Sequence, residues 1–214
     1  MKKINYFLFD LDGTLVDSVP DLTLSLNILR AELDCPPLLE NQVANMVGDG
    51  VGVLVKRALG ENLYQPVHRD RFMQLYDEHL LDHTSCYPGI EELLGYHPAE
   101  KMAIVTNKPY QLTLKLLEGL NLAKHFKIIV GGDSYAEKKP NPLPVTMALE
   151  GLSADPKQAV MIGDHHTDIY SGREAGAATC FCAYGMGHAD GLTTDFYAEQ
   201  STDLLQLFPE FPFD

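Results

Sequence analysis

Five short runs of almost continuous apolar residues recur along the chain. Runs without polar alternation are typical of strands that are buried on both faces of a parallel sheet. Segments with apolar residues at helical spacing separate the later runs, and this alternation predicts an α/β fold with a Rossmann-like parallel-sheet core. The predicted strands are residues 4–9, 102–105, 127–130, 159–162 and 179–182, and the predicted helices are 110–119, 142–151 and 167–176.

Residues 15–84 interrupt this alternation, because they carry helical patterns and no strand signal. The leucines of residues 22–33 recur at helical spacing after a Ser-Val-Pro-Asp sequence that is typical of a helix start. Aromatic and leucine residues within 72–80 predict a further helix. We therefore expect an all-helical domain, residues 15–84, inserted into an α/β core formed by residues 1–14 and 85–214.

The charge balance of the 214-residue chain limits its partners. Sixteen Lys and Arg against thirty Asp and Glu give a formal net charge of −14. Nucleic acids and anionic membranes bind basic surfaces, so we expect neither as a partner. An anionic substrate would need local positive charge, which a divalent cation can supply. The sequence does not indicate an oligomeric state.

Several features predict a cytoplasmic protein. The apolar N-terminal run is too short for a signal peptide and ends at Asp10, and no later run is long enough to cross a membrane. The aromatic tail, residues 208–213, is expected to pack on the protein's own core, with a partner-binding peptide as the alternative. The cysteines form no CxxC pair and are interpreted as buried, reduced thiols: Cys35, Cys86, Cys180 and Cys182.

Asp10 and Asp12 directly follow the first predicted strand. Residues two apart in extended backbone point to the same side, so both carboxylates face one point beyond the carboxyl end of the strand, where ligands bind in open α/β sheets. Two carboxylates in one place repel each other. The pair therefore indicates either a divalent metal or a shared proton.

A second acidic cluster, Asp164 and Asp168, follows the strand 159–162. Residues four apart at the start of a helix can face one site, although either carboxylate could instead cap the helix. Together with the first cluster, these hard oxygen ligands favour a Mg²⁺ site. His165 and His166 lie between the acids, but adjacent helical residues diverge, so a Zn²⁺ site is the weaker hypothesis.

Two further strand ends carry groups that can bind an anion. Thr106 and Asn107 offer a hydroxyl, an amide and the N–H groups of a new helix turn. Lys138 and Lys139 place cations after the third strand, where an anion contact is a better interpretation than a solvated pair. Acid clusters, a hydroxyl and a cation at four strand ends suit transfer of a phosphoryl group.

The sequence resembles the haloacid dehalogenase superfamily of hydrolases. Four segments are similar to that family's four motifs, and they occur in the family's order after the appropriate strands. The similar segments are Asp10-Leu11-Asp12-Gly13-Thr14-Leu15-Val16-Asp17-Ser18, Thr106-Asn107, Lys139-Pro140, and Gly163-Asp164 with Asp168.

The resemblance implies a Mg²⁺-dependent phosphomonoester hydrolase that forms an aspartyl-phosphate on Asp10. Asp12 is implied to protonate the leaving alkoxide and then to deprotonate the water that attacks the intermediate. The residues implied in catalysis are Asp10, Asp12, Thr106 and Lys139. Those implied in phosphate binding are Asp10, Thr106, Asn107 and Lys139. The implied metal ligands are Asp10, Asp164 and the backbone carbonyl of Asp12, with support from Asp168. His165 stands where many relatives carry Ser or Thr.

The insertion resembles the helical cap of the subgroup that includes phosphoglycolate phosphatases. Three of its residues are candidates for substrate specificity, namely Gly48, Lys56 and Arg57. A small phosphorylated metabolite is the expected substrate, with 2-phosphoglycolate first among the hypotheses. The alternatives are a sugar-phosphate phosphatase, a phosphoglucomutase-like enzyme, and, from another class, a catalytically silent binding module.

Overall fold

A computed structural model describes residues 3–210. Six parallel strands form one sheet in the order β5-β4-β1-β6-β7-β8, and two very short strands pair antiparallel in a separate ribbon, β2-β3. The fold is the α/β, Rossmann-like arrangement that the apolar runs predict. The strands are β1 (Tyr6–Phe9), β2 (Val16–Asp17), β3 (Ser85–Cys86), β4 (Met102–Val105), β5 (Ile128–Val130), β6 (Ala159–Gly163), β7 (Ala178–Cys182) and β8 (Phe196–Ala198).

Side chains of the central strands enter two hydrophobic clusters, one on each face of the sheet. Leu8 of β1 and Val105 of β4 belong to one cluster, whereas Phe7 and Phe9 of β1 belong to the other. This burial on both faces explains why the strand sequences are almost entirely apolar. The helices after β3 are α5 (Ile90–Gly95), α6 (Tyr110–Gly119), α7 (Leu143–Leu152), α8 (His166–Glu174) and α9 (Asp203–Leu207).

Between β2 and β3 the described chain forms helices only. Buried Asp21, in the first turn of the first of these helices, accepts hydrogen bonds from the backbone N–H groups of His83 and Thr84 and from the Thr84 hydroxyl, at 2.7–3.0 Å. This contact joins the start of the helical segment to the point where the chain returns to the sheet. The four helices are α1 (Val19–Glu32), α2 (Glu40–Ala44), α3 (Val51–Leu59) and α4 (Pro66–Glu78).

The structure corrects two expectations about strands. Val16–Asp17 forms β2 by pairing with Ser85–Cys86, although no strand was expected within residues 15–84. Strand β8, Phe196–Ala198, pairs with β7 at the sheet edge and was not predicted. Both are only two or three residues long, and their extended conformation depends on a partner far away in the sequence.

The tail docks on the core as far as the structure describes it. Phe208 is buried, and its ring centroid lies 5.6 Å from that of Phe7 and 5.2 Å from that of Phe196. Residues 211–213 of the predicted docking segment lie outside the described residues. All four cysteines are free, with Cys180 and Cys182 buried and the other two partly exposed.

None of the helices within residues 3–210 combines the length and the apolar character that a membrane-spanning helix requires.

Candidate active site

The carboxyl ends of the central strands place Asp10 in the middle of the site. Asp10 directly follows β1, and its backbone N–H donates to the carbonyl of Ile162 at 2.9 Å. The residue is 8% exposed, and its Oδ1 lies 3.0 Å from Lys139 Nζ. Burial raises the pKa of Asp10 to about 6, an effect that Lys139 opposes and the charge of Asp168 reinforces.

Lys139 is a buried cation shared by two carboxylates. Its Nζ lies 2.5 Å from Asp168 Oδ1 and donates to the carbonyl of Val105 at 2.5 Å. Burial lowers the pKa of Lys139, but the charges of Asp10 and Asp168 outweigh burial, so the pKa is raised above its usual value. The second oxygen of Asp168 accepts from the backbone N–H of His165 at 3.0 Å. Asp168, in the first turn of α8, therefore holds Lys139 in place.

Asp164 is held by backbone donors from the segment that follows β7. Its Oδ2 accepts from the N–H groups of Met186 and Gly187 at 2.9 Å, and its Oδ1 accepts from the Thr14 hydroxyl at 3.2 Å. Burial, together with the charges of Asp10 and Asp168, raises the pKa of Asp164 to about 8. Gly13, with a φ of +84°, lets the chain pass this carboxylate, since a Cβ there would lie 2.2 Å from Asp164 Oδ2.

The donor set fits a hard divalent cation. Carboxylate oxygens of Asp10, Asp164 and Asp168 lie within 4.8 Å of one another, and all three side chains are buried. Lys139 pairs with two of these acids, Asp10 and Asp168. The raised pKa values of Asp10 and Asp164 come mainly from burial, and the negative charge of the neighbouring acids adds to the effect. Oxygen ligands of this kind suit Mg²⁺. Asp168 differs from the other two acids because its Oδ1 is paired with the Lys139 ammonium at 2.5 Å and its Oδ2 accepts from the backbone N–H of His165.

Asp12 faces a lysine that the sequence analysis did not single out. Lys108 Nζ lies 3.1 Å from Asp12 Oδ1 and donates to the Tyr76 hydroxyl at 2.5 Å. Lys108 is 6% exposed, and its Nζ also lies 4.3 Å from the centroid of the Tyr76 ring. The sequence could have indicated Lys108 as a site residue, because it directly follows the Thr106-Asn107 pair. Nothing in the sequence indicated that Tyr76 reaches the site, because its position at helical spacing predicts only a core residue.

Thr106 lies at the end of a core strand, and the next residue, Asn107, joins the core to the helical segment. Both are buried and follow β4. Thr106 Oγ1 accepts from the N–H of Lys108 at 3.2 Å. Asn107 Nδ2 donates to the carbonyl of Gly48 at 2.8 Å and to that of Lys139 at 3.0 Å. The amide of Asn107 thus connects two candidate site segments that are far apart in the sequence.

An open cavity lies between the strand ends and the helical segment. Gly48 lines it, whereas Lys56 and Arg57 do not. Lys56 pairs with Glu61 at 2.9 Å and Arg57 with Asp49 at 2.7 Å, on the protein surface. Of the predicted site residues, the cavity wall contains Asp10, Asp12, Gly48, Thr106, Asn107 and Asp164.

The expectation that His165 and His166 diverge is wrong. His165 precedes α8 with extended backbone, φ −121° and ψ 152°, whereas His166 is the first residue of the helix. Because only one of them is helical, their ring centroids lie 4.1 Å apart. Burial and the neighbouring His166 lower the pKa of His165 to about 4, so its ring is neutral at pH 7.

Comparisons with known proteins agree with this geometry. A model of the haloacid dehalogenase-like hydrolase family matches residues 7–182. A phosphoglycolate phosphatase of Chromobacterium violaceum is 39% identical over 217 residues, covering 97% of both chains. That of Aquifex aeolicus is 36% identical over 206 residues, covering 94% of both.

A solved structure, of a predicted phosphoglycolate phosphatase from Haemophilus somnus, superposes with a TM-score of 0.86 at 28% identity, covering 97% of this chain and 99% of the other. The chain belongs to the haloacid dehalogenase-like hydrolase family. Within that family it is a phosphatase.

Proposed function

We propose that the protein hydrolyses 2-phosphoglycolate with the help of Mg²⁺ and through an aspartyl-phosphate on Asp10. The observation that carries the proposal is the gathering of Asp10, Lys139 and Asp164 at one edge of the sheet, beneath a cavity that Asp12 also lines. The names of the relatives from Chromobacterium violaceum and Aquifex aeolicus support the choice of substrate.

In the first step, a carboxylate oxygen of Asp10 attacks phosphorus and the bond from phosphorus to the ester oxygen breaks. Asp12 donates a proton to the leaving alkoxide. In the second step, Asp12 removes a proton from water, the water oxygen attacks phosphorus, and the bond between phosphorus and Asp10 breaks. This sequence releases phosphate and restores both carboxyl groups. The covalent intermediate divides one difficult displacement into two easier ones.

Attack of a carboxylate on a phosphate brings two anions together, so positive charge must be arranged in advance. Lys139 lies against Asp10, and its rigid ion pair with Asp168 keeps it there. We propose that Asp10, Asp164 and the backbone carbonyl of Asp12 hold Mg²⁺, with Asp168 in support. The ion supplies charge stabilisation to the phosphoryl oxygens. Thr106 and Asn107 are proposed to orient the same oxygens.

Lys108 is the proposed contact for the substrate carboxylate. Among the cavity-lining residues of the described chain, it is the one lysine or arginine. Asp12 lies 3.1 Å from Lys108 Nζ, and the Tyr76 ring covers the same ammonium. A substrate carboxylate reaching Lys108 would lie beside the leaving oxygen that Asp12 protonates. This placement fits a substrate as short as a two-carbon phosphate ester.

We propose that residues 15–84 form a cap over the α/β core, which comprises residues 1–14 and 85–214, and that the β2-β3 ribbon is the boundary. Gly48 approaches Asn107, and the Lys138 ammonium donates to the Asp49 carbonyl at 2.5 Å, so the cap and the core meet at the cavity. Closure of such a cap would exclude water. The buried free thiols support a reducing compartment, which we propose is the cytoplasm.

The test is a comparison of kcat/KM for 2-phosphoglycolate, hexose phosphates and an aryl phosphate, with Mg²⁺ and with EDTA. We expect Mg²⁺-dependent release of phosphate, with 2-phosphoglycolate preferred by tenfold or more. Lys108→Met should remove that preference, whereas Lys115→Met, at an exposed position on α6, should retain it. Preference for a hexose phosphate, or conversion of one hexose phosphate to its isomer, would contradict the substrate proposal.

A further inference from the structure

Three histidine rings gather outside the carboxylate cluster. One ring nitrogen from each of His165, His166 and His188 lies within 4.8 Å of the other two. Ring centroids are separated by 4.1 Å between His165 and His166, 5.4 Å between His165 and His188, and 5.6 Å between His166 and His188. Histidine is the commonest protein ligand for transition metals, and three imidazoles at this separation form a ligand set.

Local backbone structure explains why residues 165 and 166 act together. His165 is extended and caps α8, and its Nδ1 lies 3.0 Å from the Thr167 hydroxyl. His165 Nδ1 also accepts from the backbone N–H of Thr167 at 3.4 Å. Binding an ion through Nε2 requires the other tautomer, in which Nδ1 carries the proton and donates it to the Thr167 hydroxyl. His188 arrives from the segment after β7 and stacks on His166 with an angle of 15° between the ring planes.

Asp190 provides the outer support that histidine metal ligands usually have. One carboxylate oxygen lies 2.7 Å from His188 Nδ1, and the other lies 3.2 Å from His166 Nδ1. A carboxylate beside Nδ1 fixes the tautomer and directs the other ring nitrogen to the ion. One carboxylate therefore lies within reach of Nδ1 on two of the three rings.

We propose that His165, His166 and His188 form a second metal site, which takes a borderline first-row divalent cation such as Zn²⁺ and is separate from the carboxylate site. Imidazole ligands favour Zn²⁺, Cu²⁺ and Ni²⁺, whereas the oxygen ligands of Asp10 and Asp164 favour Mg²⁺. Zn–N bonds of about 2.1 Å in a tetrahedral site require ring nitrogens about 3.4 Å apart. The side chain of His188 is 63% exposed and can turn by the remaining distance.

The proposed site adjoins the catalytic cavity through two connections. His165 lines the cavity, and a Cβ on Gly48 would lie 2.6 Å from its ring. The segment that carries His188 also carries Met186 and Gly187, whose N–H groups hold Asp164. An ion on the three histidines would tie this segment to the start of α8.

The experiment uses the full chain without a polyhistidine tag, stripped of metal with EDTA and then dialysed. Zn²⁺ binding is measured by isothermal titration calorimetry in millimolar Mg²⁺, and the visible spectrum of the Co²⁺-loaded protein reports coordination geometry. We expect one Zn²⁺ per chain and the intense bands of tetrahedral Co²⁺. His188→Ala should weaken Zn²⁺ binding at least tenfold, and Asp190→Asn should weaken it by about 10- to 100-fold.

Two controls separate this site from other ligands. His68→Ala removes a half-buried histidine of α4 and should leave Zn²⁺ binding unchanged. Asp10→Asn alters the carboxylate site and should also retain Zn²⁺ binding. Far-UV circular dichroism checks that each variant is folded. Failure of the wild-type protein to bind Zn²⁺ under these conditions would overturn the proposal. Equal losses in His68→Ala and His188→Ala, or loss of binding in Asp10→Asn, would overturn it as well.

Discussion

The ammonium of Lys139 lies 2.5 Å from Asp168 Oδ1, and both side chains are at most 1% exposed. A buried charge without a partner is costly, so neither residue can be altered without affecting the other. Lys139 also lies 3.0 Å from Asp10. The ion pair therefore links α8, which carries Asp168, to the proposed nucleophile. Asp168 is therefore a positioning residue for Lys139.

Lys139→Met should destabilise the protein and inactivate it. The variant leaves Asp10 and Asp168 as buried acids without their cation, and breaking such a pair costs about 3–5 kcal/mol. We expect kcat/KM for 2-phosphoglycolate to fall by at least about 100-fold, because the charge next to the reacting phosphate is lost. Urea denaturation and steady-state kinetics measure the two effects.

Lys138→Met is the matched control for this prediction. Lys138 is the adjacent residue, but it is exposed. Within the described chain its ammonium has one hydrogen-bond acceptor, the backbone carbonyl of Asp49. Its substitution should change the free energy of unfolding by no more than about 0.5 kcal/mol. Equal destabilisation by the two variants would contradict the assignment of Lys139 as the shared cation.

The stability of the metal-free protein should decrease as the pH rises from 5 to 8. The pKa values of Asp10 and Asp164, about 6 and about 8 in the folded protein, exceed their ordinary value of 3.8. Across this range these two carboxyl groups bind more protons in the folded state than in the unfolded chain, so their contribution to the free energy of unfolding falls with increasing pH. His165, with a pKa of about 4 in the folded protein, contributes in the opposite direction below pH 6.5, but the two carboxyl groups together outweigh this single histidine. Thermal unfolding in EDTA across this range measures the effect.

Mg²⁺ should raise the unfolding temperature more at pH 8 than at pH 5, because it binds the deprotonated carboxylates. Asp164→Asn should reduce both the pH dependence and the response to Mg²⁺. An unfolding temperature that rises with pH in EDTA, or an Asp164→Asn variant that responds to Mg²⁺ as the wild type does, would be incompatible with this account.

Gly48→Ala should impair the enzyme, whereas Gly52→Ala should not. Gly48 has a φ of +113°, and an added Cβ would lie 2.6 Å from the His165 ring. Strain at this φ costs about 1 kcal/mol or more, and displacement of the Gly48 loop should lower kcat/KM. An added Cβ at Gly52, within α3, meets nothing within 4 Å and should stabilise the helix by about 0.5–1 kcal/mol. Unchanged kcat/KM in Gly48→Ala would argue against a role for this loop at the cavity.

Asp12→Asn should slow turnover by about 10²- to 10⁴-fold, the contribution typical of a general acid and base. The loss should be smaller for formation of the intermediate from p-nitrophenyl phosphate, because its leaving group needs little protonation. Rapid mixing should therefore show a burst of p-nitrophenolate followed by slow turnover. A uniform loss across substrates with good and poor leaving groups, without a burst, would speak against this role.

The parts of the fold that depend on local patterns were predictable. Strand β4 and helix α6 have the predicted bounds, because a continuous apolar run and a regular helical spacing identify them without reference to the rest of the chain. Strands β2 and β8 were missed for the opposite reason. Each is two or three residues long and is extended because of a partner distant in sequence.

The residues of the site also divide into those that local sequence patterns predict and those that depend on distant partners. The acids at the ends of β1 and β6 were identifiable, because parallel strands present their carboxyl ends at one edge of the sheet. The contact of Lys108 with Tyr76 was not, since it joins the core to α4 across 32 positions of the sequence. The proximity of His165 to His166 was mispredicted because the backbone changes from extended to helical between them.

The most direct test of the proposed mechanism is rapid-quench mass spectrometry of the Asp12→Asn variant during turnover of a phosphate ester with Mg²⁺. We predict a phosphoryl group on the peptide that contains Asp10, and its absence when Asp10 is also replaced by Asn. A phosphoryl group on another residue, or turnover that persists after the Asp10→Asn substitution at the wild-type rate, would contradict the account.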